Sequence, residues 1–472
     1  VKQQIETWVD AHQDEIIAET QTVLRIPSVE EETTRGAGAP FGRPLADALE
    51  HTLALCARLG MKTENFDGYA GHAEFGEGEE IVAMLGHLDV VPPGTGWTKE
   101  PFGAVIEDGQ LYARGASDDK GPTFAALFGA KAVLDGLAAS GEKLSRRVRL
   151  IFGCDEESGW QCMDHYFGAA GQPKPDLAFT PDAEFPLIYA EKGAFTGIAT
   201  RTVESSNGGG ALSVAAFQSG LRVNMVPGDA EATLTGDDSA LHAAAERLAG
   251  TPYVTVEPVG DDGLLRVHAK GRAAHASTPD HGENAAVRLL QALSSLPGLA
   301  DADRAWAADL AARAPTDGSG VNIAGRDDVS GPLTCNLGIV SKQNGQVRAS
   351  FNVRYPVTHD GDDLRSRFTA ALVPAGWQTE FVGGMEPLFV PQDEEPVKTL
   401  LRVYREHTGD LSAPRTMGGR TYATAVAPRG VAFGAALPGD PEVAHQADEH
   451  IAVARILQCA KIYGHALYEL AK

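Results

Sequence analysis

His87 and Asp89, a histidine and a carboxylate two residues apart, lie in the segment Gly86-His87-Leu88-Asp89 that directly follows the apolar run 81–85. A run that short, bounded by polar residues, predicts a buried strand. At the carboxyl end of such a strand a His-x-Asp pair can present a metal ligand together with the group that orients it. Four later segments place more ligand types at the ends of predicted elements. Asp118 and Asp119 follow the strand-like stretch 111–115 and open a helix-like run, 123–137. Pro122 sits near the first turn of that run, where the absent N–H would be unpaired anyway. Glu156 and Glu157 lie just beyond the strand-like run 148–152, and Asp182 just beyond 177–180. His445 precedes the periodic segment 451–470, which predicts a C-terminal helix.

Taken singly, each has a plain structural reading. Asp118 and Asp119 suit helix N-caps with no metal present. Glu156 and Glu157 suit a solvated loop, Asp182 a turn, and His445 a surface position. Their coincidence is what carries weight. Residues at the carboxyl ends of successive strands converge on one edge of an α/β sheet, where such folds place their sites. A cluster that acidic needs cations. Zinc accepts imidazole nitrogen and carboxylate oxygen, and a co-catalytic pair of ions lies roughly 3.5–4 Å apart around a shared group. The assignment that follows gives one ion His87 and Asp182, the other Glu157 and His445, with Asp118 bridging. Asp89 would accept the second N–H of His87 and fix its tautomer. Glu156 is left as general base, beside a metal-bound water whose pKa falls to about 7.

The elements that must hold these residues bound the architecture. At 472 residues the chain exceeds one ordinary core, so two or three domains are expected. Four ligands precede position 190 and the fifth follows position 438, so the domain that holds them is discontinuous. The stretch between alternates strand-like runs (264–269, 347–355) with a helix-like one (283–293) and reads as an inserted α+β domain. The expected boundaries are 1–188 plus 385–472 for the ligand-bearing domain and 189–384 for the insert, built as two α+β subdomains.

Composition excludes several classes. With 43% hydrophobic and 22% charged residues the chain is that of a globular protein. No apolar run is expected to span a bilayer, and the first residues are polar and amphipathic rather than signal-like. Five scattered cysteines, an odd number without a close metal-type pair, point to a reducing cytoplasm. Cys154, two residues before the proposed base, reads as a buried strand-end thiol. A formal charge of −24 argues against nucleic-acid or anionic-membrane partners. Ser205-Ser206-Asn207-Gly208-Gly209-Gly210 reads as a flexible loop and not a phosphate cradle, because no Lys-Ser/Thr follows.

Five segments carry a family resemblance: Gly86-His87-Leu88-Asp89-Val90-Val91-Pro92, Ala113-Arg114-Gly115-Ala116-Ser117-Asp118-Asp119-Lys120-Gly121-Pro122, Asp155-Glu156-Glu157-Ser158-Gly159, Thr180-Pro181-Asp182-Ala183-Glu184 and His445-Gln446-Ala447-Asp448-Glu449. In order and spacing the chain resembles the co-catalytic zinc peptidases that include PepV-like dipeptidases, carnosinases, aminoacylases and succinyl-diaminopimelate desuccinylase. Ala113 departs from the glycine usual there. The resemblance implies an α/β fold, a zinc-peptidase catalytic domain (a mixed sheet flanked by helices) with an inserted α+β lid. It implies His87, Asp118, Glu157, Asp182 and His445 as ligands of two Zn²⁺ per chain, with Mn²⁺ or Co²⁺ as substitutes. It selects Asp118 over Asp119 as the bridge and implies a cis peptide between them.

The likeness is greatest to the PepV-like dipeptidases, through Gly96-Trp97-Thr98-Lys99-Glu100-Pro101-Phe102, Pro181-Asp182-Ala183-Glu184-Phe185-Pro186 and Asn352-Val353-Arg354-Tyr355-Pro356. Gly271-Arg272-Ala273-Ala274-His275-Ala276-Ser277 resembles the element carrying the lid histidine, so His275 is implied to hydrogen-bond the tetrahedral oxyanion. Arg354 and Asn224 are implied to hold the substrate's C-terminal carboxylate, Arg354 through its fork. The long insert implies a monomer. The expected activity is hydrolysis of dipeptides with a free N-terminus. The rivals are an N-acyl-amino-acid deacylase or desuccinylase with the same zinc chemistry, and an inactive metal-binding scaffold.

Overall fold

The computed structural model describes residues 1–203, 211–260 and 262–472. The glycine-rich stretch 205–210 lies outside the described residues. The chain divides into two compact units, one formed by Val1–Ala190 with Leu388–Lys472 and the other by Glu191–Pro387.

The first unit is built on a nine-stranded mixed sheet. Strands Ile81–His87, Arg147–Gly153, Leu177–Thr180 and Gly430–Ala432 run parallel to one another at its centre. Ala70–Phe75 joins antiparallel beside Arg147–Gly153, and Lys62–Phe66 lies beyond it. The central strand Ile81–His87 is buried along its whole length. A continuous apolar run rather than an alternating one is what a strand covered on both faces requires.

Helices Lys120–Ser140 and Val453–Ala471 supply much of that cover. They approach closely because glycines face each other: a Cβ on Gly129 would lie 2.6 Å from the Ala460 carbonyl oxygen and 2.7 Å from the Gly464 nitrogen. The same demand recurs where Lys120–Ser140 crosses the central strand. A Cβ on Gly86 would lie 2.0 Å from Thr123 Oγ1, so only glycine lets the helix N-terminus sit over the strand's end. Lys120–Ser140 also corrects an expectation from composition. It is long and apolar enough to cross a membrane, but most of its side chains are buried within this unit. Apart from Lys131 and Asp135 on its partly exposed side, it is mostly apolar because it is largely surrounded.

The second unit is an eight-stranded antiparallel sheet with helices Asp238–Ala249, Ala285–Ser294, Asp301–Arg313 and Gly361–Leu372 packed on it. Its two halves meet where Phe217, Gln218 and Ser219 pair with Lys342, Ser341 and Val340. One apolar core, from Phe195 through Leu234 and Trp306 to Trp377, runs across that seam. All five cysteines are buried and unpaired, Cys154 among them.

Candidate metal centre

Parallel pairing sets His87 level with Gly153, so the strands Ile81–His87 and Arg147–Gly153 end side by side. Beyond Gly153 the chain turns and presents Glu156 and Glu157. Asp182 comes two residues after Leu177–Thr180, the strand on the other side of Ile81–His87. Asp118 arrives from the loop before Lys120–Ser140, and His445 from the loop before Val453–Ala471. The structure therefore brings all five expected ligands to one edge of the sheet.

Asp118 stands between the two histidines. Its Oδ1 is 3.1 Å from His87 Nε2 and its Oδ2 3.1 Å from His445 Nε2. His445 Nε2 also lies 2.7 Å from Glu157 Oε1, and His87 Nε2 lies 3.9 Å from Asp182 Oδ2. Two sets of ligand atoms are mutually close, His87 with Asp118 and Glu157, and His87 with Glu156 and Asp182. The Asp118–Asp119 peptide is cis, as the resemblance implied. Asp119 faces away from this set: its Oδ2 accepts from Thr123 Oγ1 at 2.7 Å and from the His87 backbone N–H at 3.3 Å.

The electrostatics are those of an acidic cluster short of positive charge. Burial pushes Glu156 and Asp182 well above the carboxylate range, and neighbouring carboxylates add to the effect. Hydrogen bonds with Asp118 and Glu157 raise His445 to about 10. Burial opposes protonation of His87, yet Asp118, Asp89 and Asp182 together hold it well above the usual imidazole value. Asp118 is held below the usual range, its burial outweighed by the two imidazoles. Two imidazole nitrogens with the carboxylates of Asp118, Glu157 and Asp182 match the donor set that divalent zinc, manganese or cobalt accepts.

Asp89 behaves differently from the sequence expectation. His87 Nδ1 lies 2.9 Å from the Asp89 backbone carbonyl and 3.5 Å from its carboxylate Oδ1. The carbonyl is the better acceptor at those distances. Asp89 Oδ2 accepts the Glu157 backbone N–H at 2.9 Å, and Oδ1, buried, has no partner among the described residues within hydrogen-bond geometry. One aspartate therefore orients two of the expected ligands, His87 by its main chain and Glu157 by its side chain.

Sequence reasoning missed the group that holds Asp118 in place. Glu449, fully buried, accepts from the backbone N–H groups of Ser117 (2.9 Å) and Asp118 (3.1 Å), and from that of Gly115 (3.1 Å). It also accepts from Ser117 Oγ at 3.1 Å and pairs with the buried Arg114 guanidinium at 2.6 Å. Both residues lie in the quoted motifs, but nothing in the sequence pairs residues so far apart. Next to Asp118 and Asp182 opens a cavity of 480 Å³ whose polar lining includes Glu184, Arg415, Asp440 and Arg455. Arg415 is paired with Glu184 and Arg455 with Asp440 at 2.8 Å.

The three residues implied for the lid lie together in the second unit. The backbone beside His275 pairs with that around Asn224, with Ala276 N–H donating to the Asn224 carbonyl at 2.9 Å. Thr334 Oγ1 reaches the Ala276 carbonyl at 3.4 Å, and Thr334 is the cross-strand partner of Arg354. His275 is exposed, with Nδ1 2.6 Å from Ser277 Oγ. Arg354 is buried, and its Nε donates to Asn352 Oδ1 at 3.2 Å.

Residues 83–469 match the model of peptidase family M20/M25/M40. The chain is 39% identical over 476 residues to "Putative dipeptidase YtjP" of Bacillus subtilis (strain 168), covering 99% of each chain. It is 33% identical over 464 residues to "Putative dipeptidase" of Staphylococcus epidermidis (strain ATCC 12228 / FDA PCI 1200), covering 97% of each. Among solved structures, human carnosine dipeptidase 1 matches with a TM-score of 0.57 at 15% identity, over 99% of this chain and 98% of that one. The dipeptidase Dug1p from Saccharomyces cerevisiae matches with a TM-score of 0.59 at 14% identity, over 99% and 98%. These two likenesses are of fold.

Proposed function

The chain belongs to peptidase family M20/M25/M40, and from that premise we propose that it is a metallopeptidase hydrolysing dipeptides with a free N-terminus. The observation that carries the reading is Asp118, whose two oxygens each face a different histidine at 3.1 Å. That is the arrangement of a carboxylate shared by two ions. In this reading His87 and Asp182 would hold one Zn²⁺ and Glu157 and His445 the other, with Asp118 available to both. Mn²⁺ and Co²⁺ are acceptable substitutes because this donor set discriminates weakly among them. Such ions supply Lewis-acid polarisation of the scissile carbonyl and acidify water.

The chain's own residues do the rest. Glu156 takes the proton from the attacking water as the C–O bond forms, then delivers it to the departing amine as the C–N bond breaks. Asp89 orients His87 and Glu157, and Glu449 with Arg114 keeps the Asp118 loop in place. His275 donates to the oxyanion, while Arg354 and Asn224 bind the substrate's C-terminal carboxylate; these roles rest on the resemblance. A desuccinylase would need a free cation for the acyl carboxylate. The two arginines lining the cavity beside Asp182 are both already paired with carboxylates, which favours a substrate bearing an amine. Five unpaired cysteines fit a reducing compartment, and the long insert fits a monomer.

The test is hydrolysis by metal-reconstituted protein of a free dipeptide, its N-acetylated form, a tripeptide and N-succinyl-diaminopimelate. Cleavage confined to the free dipeptide is expected. Cleavage of the acylated compounds instead would transfer the chemistry to a deacylase.

A further inference from the structure

We propose a second cation site in the first unit, formed by Glu6, His407 and His465 and separate from the catalytic centre. The three residues come from different helices, Lys2–Ala11, Glu395–Thr408 and Val453–Ala471. One ligand atom from each lies within 4.8 Å of the other two. His465 sits twelve residues into its helix, roughly 18 Å from the end nearest His445 at 1.5 Å per residue.

The hydrogen bonding of His465 fixes which nitrogen is available. Its Nε2 lies 3.0 Å from the Lys2 carbonyl oxygen, which can only accept, so Nε2 carries the proton. In the neutral ring Nδ1 is then a bare lone pair, and a carbonyl in that place is how metal-bound imidazoles are oriented. Nδ1 points at His407 Nε2, 2.6 Å away. Burial disfavours the charged form of both rings. Neutral imidazole is the form that binds metal.

The carboxylate completes the argument. Glu6 is half-buried beside the two rings, and its carboxylate makes no hydrogen bond or ion pair with any described residue. The nearby cations are already engaged: Lys2 Nζ with Glu406 and Glu469, both at 3.2 Å, and Lys461 with Asp10 at 2.6 Å. Two imidazoles and one carboxylate without a cationic partner among the described residues are a His₂Glu donor set for a divalent transition ion, with water as a fourth ligand. Bound there, an ion would tie the first helix to the last two. The competing arrangement is a simple hydrogen bond from His407 Nε2–H to His465 Nδ1, differing by the position of one proton.

The experiment is metal analysis of zinc-loaded, gel-filtered protein, comparing the unaltered chain with Glu6→Gln and His407→Gln. Dipeptide hydrolysis is measured alongside. The expected result is one fewer zinc per chain in each variant, with turnover unchanged. A cobalt-loaded series should lose, in the same variants, the visible absorption belonging to one nitrogen-ligated ion. Equal zinc content in all three proteins would overturn the site and leave a histidine–histidine hydrogen bond. Glu6→Gln is a half-exposed, helix-compatible change, so it decides the matter even if His407→Gln fails to fold.

Discussion

Two buried charge clusters in this molecule are solved in opposite ways. At the seam of the second unit, Lys342 forms an ion pair with Asp303, both side chains more than nine-tenths buried. Lys342 also donates to the Val214 carbonyl, and Asp303 accepts from Val214 N–H and the Trp306 indole. The charges there cancel within the chain. At the sheet edge of the first unit, Asp118, Glu156, Glu157 and Asp182 gather around two histidines, and no Lys or Arg among the described residues is ion-paired to any of the four. The first arrangement fixes the packing of a seam. The second stays unbalanced until something from outside supplies charge, and that imbalance is what makes it a site.

The comparison breaks most sharply at Glu156. Glu156→Ala should lower kcat by about 10²–10⁴-fold, the usual share of a general base, while bound metal stays near that of the unaltered protein. Loss of metal together with activity would make Glu156 a ligand instead. At the seam, Lys342→Met strands the Asp303 carboxylate in the core. Denaturant unfolding should show a loss of about 3–5 kcal/mol, most of it recovered in Lys342→Met/Asp303→Leu. If the single change proves neutral, the seam pair is not the closed counterpart we describe.

Smaller effects sharpen the contrast. Glu449→Gln weakens the acceptor that holds the Ser117 and Asp118 N–H groups, so metal affinity should fall by about 10–100-fold, as it does when groups behind a ligand are altered. Titration with a competing chelator reads this directly. The pH response is the mildest test. His445 has its folded pKa raised from the ordinary 6.5 to about 10. In metal-stripped protein its contribution to stability is full below about pH 6.5 and disappears as pH rises toward 10. Unfolding midpoints of stripped protein should therefore decline over that window. Reloading with metal, which requires His445 deprotonated, should release protons at neutral pH and remove the decline.

What could be read from sequence followed from strand ends. His87, Glu156, Glu157 and Asp182 each stand just after an apolar run, so their convergence was legible as soon as those runs were taken as parallel strands. The discontinuity of the first unit was legible for the same reason, because ligands on both sides of the insert must meet. Pairings across the chain were not. Glu449 reaches the Asp118 loop across more than three hundred residues, and Glu6, His407 and His465 meet only because three helices pack. Asp89 was read as the partner of His87 through its carboxylate, which lies 3.5 Å from Nδ1, while the nearer carbonyl at 2.9 Å could not be told from spacing. Helix Lys120–Ser140 escaped notice as a long apolar segment because Lys131 and Asp135 interrupt it.

The division of the first unit into Val1–Ala190 and Leu388–Lys472 also sets a timetable. A chain made from its amino end presents His87, Asp118, Glu157 and Asp182 long before His445, which follows Asp182 by 263 residues. At about 5–20 residues per second that delay is roughly 13–50 s. Throughout it the second unit can emerge and fold alone, while the acidic edge lacks His445, Glu449 and the strand Gly430–Ala432. The centre is therefore among the last parts of the molecule to close during synthesis, and ions captured earlier would be held by an incomplete set.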